Sequence, residues 1–225
     1  MELTQLSLYN QAILMSAAIV LLTSFVMLAQ PRIVPLIHTF AWQGVLLAVT
    51  TALVTYVTDH PHLYISAGMT LLLKALLIPW MLHRLAVRLS IHRDIEVLTY
   101  PSMTLLAGAG LVVFGYYVAI PIVQLSTLVT RNTIAVSIAV VLLGMLLMIS
   151  RKKAISQVIG FMSIENGLFF SAVVSTYGMP MVVELGIAFD VLVAAILFGV
   201  FFFQMRASID SLDVDRLNRL REGDE

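Results

Sequence analysis

The chain has 225 residues, 60% of them hydrophobic and 12% charged, with a mean hydropathy of +0.98 and no formal net charge. Soluble domains carry roughly 25% charge, so this composition excludes an ordinary globular enzyme and describes a polytopic membrane protein. The absence of cysteine removes disulfides, thiolate metal sites and thiol nucleophiles, and the basic residues form no single large face of the kind that binds nucleic acid.

The N-terminal stretch MELTQLSLYNQ lacks a basic n-region and an A-x-A-like site, so the first apolar run reads as a retained span. A membrane-crossing helix needs roughly 20 apolar residues. Seven runs meet that length, at 9–29, 34–57, 62–83, 102–123, 132–150, 154–177 and 180–205. They are separated by QPR (30–32), TDHPH (58–62), HRLAVRLSIHRDIEVLTYP (83–101), LVTRN (128–132), SRKK (150–153) and TYGMP (176–180). Pro79, inside the third run, removes a hydrogen bond to the Ala75 carbonyl, which predicts a kink beside Lys74.

The expected fold is therefore all-α, with seven transmembrane helices. The distribution of arginine and lysine orients it. Of the 13 basic residues, only Lys74, inside a span, and Arg131 lie off the face that collects Arg32, the 84–93 loop, Arg151 to Lys153 and the tail. The positive-inside rule then places the N-terminus outside and the C-terminus in the cytoplasm. Three units are expected: a four-helix part at 1–127, a three-helix part at 128–205 and a cytoplasmic tail at 206–225. In the tail, Ile209, Leu212, Leu217 and Leu220 share one helical face loosely. That suits an interfacial helix on the bilayer or a docking helix for a partner subunit.

Ionisable residues inside a membrane cost about 2.5–3.5 kcal/mol each on insertion scales. Lys74, Glu165, Glu184 and Asp190 fall within spans. Counted from the expected outer turn near Gly178 and Met179, Glu165 and Asp190 lie about 18 Å deep, at the bilayer midplane, and Lys74 falls at the same level. Glu184 is shallower. Groups at one depth in a packed bundle couple, so each holds or releases a proton according to its neighbours. The expected proton path is Glu165, Asp190, Lys74 and Glu184. A static Lys74–carboxylate pair that fixes helix register stays open beside it. Asn166, next to Glu165, fits an interhelical hydrogen bond.

His60, His62, His83 and His92 sit at span ends or in loops, and only His38 lies inside a span, which speaks against bis-histidine haem ligation. No phosphate-loop, nucleophile-elbow or H-E-x-x-H pattern occurs. No catalytic residue, metal or cofactor is expected in this chain.

The segments SRKKAISQVIGFMSIENGLFF, MPMVVELGIAFDVLVAAILFGV and IDSLDVDRL resemble the hydrogenase-4 component E family. The features shared with it are IENG at 164–167, VELGIAFD at 183–190, LDVD at 212–215 and the lysine of LLLKALLIP. The resemblance runs over the whole chain and is sharpest from about 150 to 215. It implies a membrane subunit of a hydrogenase or formate hydrogenlyase complex related to respiratory complex I, in a prokaryotic cytoplasmic membrane, without an active site of its own. The last three spans, within 128–205, are also similar to the complex I K subunit and the antiporter C subunit. On that pattern Asp190 takes the second family glutamate. The first falls on Met162, one turn before Glu165. The implied function is proton translocation and membrane-arm assembly, with other membrane subunits and the lipid bilayer as partners. A subunit of a multisubunit cation/proton antiporter, or a scaffold without ion transport, are the alternatives.

Overall fold

The structure, a computed structural model, describes residues 8–58, 62–88, 101–121, 128–175, 184–197 and 199–200. Every element among them is helical. In chain order they are α1 (Leu8–Ala29), α2 (Ile33–Thr58), α3 (His62–Thr70), a π-helical segment (Leu71–Leu77), α4 (Ile78–Arg88), α5 (Pro101–Ala119), α6 (Leu128–Ser150) and α7 (Ala154–Ser175). Residues 184–197 form a further helix, α8. Six helices are long and apolar enough to cross a membrane, with α3, the π segment and α4 counted as one continuous span. The seventh expected span, 180–205, is described only in part. The turn near Gly178 and Met179 and the tail 206–225 lie outside the described residues.

The helix ends follow local chemistry. Pro31 stops α1, and Pro35 sits in the first turn of α2, where a missing N–H costs nothing. Pro101 opens α5 in the position that suits proline. Two carbonyls at and just beyond the end of α1 are taken by Arg151, which is 2% exposed. Its Nη2 donates to Leu28 O at 3.1 Å and also to Gln30 O. A buried guanidinium at a helix C-terminus both satisfies orphan acceptors and meets the negative end of the dipole. It ties the α6–α7 connection to the α1–α2 connection.

The third span runs to Arg88, five residues beyond the expected end at 83. Leu82, Leu85 and Ala86 stay buried while Arg84 and Arg88 face outward. The helix therefore ends in an amphipathic turn.

α6 and α7 make the most extensive helix–helix contact, where Gly144 and Gly160 bring their backbones together. α1 and α2 pack against this pair, and α5 lies at the periphery on α6 and α1. The buried side chains fall into two apolar clusters. One contains Ile37, Phe40, Ile78, Leu82, Ile159, Met162 and Val193. The other contains Leu47, Val54, Phe169, Phe170 and Val173. α2 passes from the first cluster to the second between Phe40 and Leu47, and α7 between Met162 and Phe169. The gap between the clusters is filled by polar side chains.

Candidate functional site

That polar layer is built around Lys74. The lysine lies in the middle of the π segment LLLKALL. Ile78 N–H donates to Leu73 O, the five-residue reach of a π turn. Pro79 follows and has no N–H to offer. The kink expected beside Lys74 takes the form of this wider winding. π turns are rare and occur often at functional sites. On the facing helix, a Cβ at Gly44 would stand 2.9 Å from both the carbonyl carbon and oxygen of Lys74. Only glycine allows α2 to approach the π turn so closely.

The Lys74 side chain is fully buried. Its Nζ donates to Glu165 Oε2 and, at 2.9 Å, to Asn166 Oδ1, and it lies 3.5 Å from Asp190 Oδ1. It also stands 4.7 Å from the centroid of the Phe169 ring, a cation–π contact. Of the three N–H donors of an ammonium, two are taken by Glu165 and Asn166, and Asp190 Oδ1 stands by as an ion-pair partner. The structure thus brings together Lys74, Glu165 and Asp190, three of the residues singled out from the sequence. Glu184 stands apart. It is exposed, six residues before Asp190, about 9 Å along the axis of α8.

The two carboxylates differ in their surroundings. Asp190 is 0% exposed, and among the described residues neither of its oxygens accepts a hydrogen bond. Its polar partner is the charge of Lys74 at 3.5 Å, and an ionisable residue buried in this way is a functional candidate. Glu165 is 12% exposed at its side chain. Among the described residues it is the one ionisable side chain lining an open groove of about 290 Å³ between α7 and α8, whose walls include Phe161, Phe169 and Phe189. Gly186 forms part of this wall: a Cβ there would meet Phe169 Cδ2 at 2.7 Å and Glu165 Oε1 at 3.7 Å. Glycine at 186 lets α8 sit against Glu165.

Behind the lysine runs a chain of hydrogen bonds with a single direction. Asn166 Oδ1 accepts from Lys74, so its Nδ2 turns to donate to Gln43 Oε1 at 2.9 Å. Gln43 Nε2 donates in turn to Ser24 Oγ at 2.9 Å, and the Ser24 hydroxyl donates to Val20 O at 3.0 Å. Gln43 and Asn166 are both 0% exposed. Each amide is fixed by its neighbour, and the acceptor end of the chain is left facing the lysine. This array holds Lys74 as a donor. Sequence reasoning singled out Asn166 as an interhelical hydrogen bond but passed over Gln43, Ser24 and Gly44. The available signal was an amide near the middle of an otherwise apolar span, followed directly by a glycine.

A bundle of membrane-length helices closed around one lysine and two carboxylates is a multi-pass membrane protein with an ionisable cluster inside it. Its relatives narrow that class. The chain is 34% identical over 189 residues to the uncharacterized protein Rv0085 of Mycobacterium tuberculosis, a match covering 83% of this chain and 86% of that protein. It belongs to the same family. Hydrogenase-4 component E of Escherichia coli (strain K12) and of Shigella flexneri are each 25% identical over 182 residues, covering 81% of this chain and 84% of theirs. The chain is a distant homologue of hydrogenase-4 component E over most of its length. No family model matches it, and no solved structure does.

Proposed function

We propose that the protein is an integral membrane subunit of a hydrogenase-type complex in a prokaryotic cytoplasmic membrane, and that Lys74, Glu165 and Asp190 pass a proton between them. The distant homology to hydrogenase-4 component E supports the first part. One observation carries the second: a single buried ammonium lies against both carboxylates, bonded to Glu165 and 3.5 Å from Asp190.

The cluster balances electrically when one proton is shared between the two acids, since a lone ammonium can neutralise only one carboxylate. The proton then has two seats. When Glu165 takes it, the pull of Lys74 turns to Asp190. When Asp190 takes it, Lys74 pairs with Glu165. The groove beside Glu165 gives protons, or a neighbouring subunit, access at that end. Lys74 modulates both seats, and the Asn166–Gln43–Ser24 chain keeps it between them. Glu184 stands outside the pair as a group at the entry or exit on its own side. On this reading the C-terminus lies in the cytoplasm, and 128–205 takes the part that the K subunit has in complex I.

The test has two parts. Tagged protein is taken from its native membrane in mild detergent, and the co-purifying chains are identified by mass spectrometry. Hydrogenase subunits support the reading, whereas antiporter subunits alone move the same cluster into an exchange mechanism. In the complex, Glu165→Gln and Asp190→Asn are then expected to leave assembly intact and to abolish proton movement. A second reading, a fixed polar latch, is favoured by the fully bonded amide chain behind Lys74. Loss of assembly in both isosteric variants would select it.

A further inference from the structure

On the outer face of the same span as Lys74, Leu72, Leu76, Trp80, Arg84 and Arg88 recur every four residues, a single stripe on the helix surface. All are exposed. The stripe changes chemistry along its length. Its first part is an apolar groove of about 310 Å³ lined by Leu72, Leu76, Leu77 and Trp80. Its end is a basic pocket of about 480 Å³ lined by His83, Arg84, Val87 and Arg88. Trp80 joins the two, with the Arg84 guanidinium 4.9 Å from the centroid of its ring. From α2, the exposed His38 ring stacks on His83 with centroids 6.3 Å apart and planes 30° from parallel.

We propose that this stripe binds one anionic phospholipid, of the phosphatidylglycerol or cardiolipin type. Its phosphate would sit against Arg84 and His83, and an acyl chain would lie along Leu76 and Leu72. The dimensions match. From Leu72 to Trp80 is about 12 Å of axis, close to the roughly 15 Å of one leaflet's hydrocarbon, and Arg84 follows one turn beyond, at headgroup level. Tryptophan at the junction suits the interface, where an amphipathic ring is at home. Basic pockets between helices at a membrane surface are known to hold anionic headgroups. The apolar groove distinguishes a lipid from a free anion, because inorganic phosphate has no use for it. The guanidinium is already oriented by the indole, so little side-chain freedom is lost when the phosphate arrives.

The full-length protein is reconstituted in lipid nanodiscs with Trp42→Phe, leaving Trp80 as the reporter of the chain's 2 tryptophans. Its fluorescence is quenched with brominated phosphatidylglycerol or brominated phosphatidylcholine. Phosphatidylglycerol is expected to quench at about fivefold lower mole fraction, the factor that roughly one basic residue supplies at a surface. Arg84→Gln should remove that preference and Arg84→Lys should keep most of it, with inorganic phosphate at millimolar concentration having no effect. Equal quenching by the two lipids would overturn the proposal. So would displacement by inorganic phosphate, which would make the pocket a free-anion site. Failure of either lipid to quench Trp80 would overturn it as well.

Discussion

Lys74 and Arg84 carry the same charge on the same membrane span, ten residues apart, yet their surroundings have little in common. Lys74 is fully buried and holds two carboxylates, an amide oxygen and an aromatic ring around one nitrogen. Arg84 is exposed and rests on a single indole. The difference lies in the medium. Inside an apolar bundle no water completes the shell of an ammonium, so the protein must supply every partner. At the interface, water and headgroups do most of that work, and an aromatic face to orient the guanidinium suffices. A charge buried inside the bundle therefore recruits residues from α2, α7 and α8, whereas an exposed one needs only its own helix.

The sharpest way to break this contrast is to remove the central cation. Lys74→Met leaves Glu165 and Asp190 facing each other across a dry interior. It should destabilise the protein by about 3–5 kcal/mol, the usual cost of orphaning a buried charge. Adding Glu165→Gln and Asp190→Asn to the same variant should recover most of that loss, because no net charge then remains buried. Thermal unfolding in detergent with light-scattering detection measures both. If the triple variant is as unstable as the single one, loss of the donor to Asn166, rather than the orphaned charge, sets the cost.

Next in size is Gly44→Ala. The added methyl meets the Lys74 carbonyl at 2.9 Å, against backbone that cannot swing aside. Overpacking of this kind costs about 1–3 kcal/mol. It should also move the π turn, so proton movement by the assembled complex should fall along with stability. Gln43→Leu breaks the amide chain and leaves Asn166 Nδ2 without its acceptor, at about 1–3 kcal/mol. Gln43→Glu offers an acceptor at the same place but puts a third carboxyl into the layer. Comparing these two variants by unfolding midpoint separates the loss of a hydrogen bond from the addition of a charge.

The smallest expected effect is at the edge. Arg84→Gln should change unfolding by no more than about 0.5 kcal/mol, as for most exposed substitutions. A large loss there would mean that the interfacial charge is integrated as tightly as the central one, and the contrast would fail.

Much of this was legible in the chain itself. Spans of about 20 apolar residues stand out because lipid tolerates no unsatisfied backbone, so the apolar run and the helix coincide. The breaks at Pro31 and at Arg151 to Lys153 were visible for the same reason. Lys74, Glu165 and Asp190 stood out because charges inside such runs are rare, and counting rise per residue placed them in one layer. The partnership itself was not legible. Depth fixes where a residue lies along the membrane normal and says nothing of rotation about its helix. Glu184 sits on the same helix as Asp190 and faces outward, a difference that packing settles. Gln43 and Gly44 were hidden because an amide and a glycine are common inside membrane helices. They matter only through what lies across from them, an asparagine on α7 and a carbonyl on the π turn. Sequence sets which groups must escape lipid, because the cost of leaving them there is local. Only the tertiary structure decides which groups meet, because hydrogen bonds and ion pairs depend on distances of a few ångströms between helices far apart in the chain.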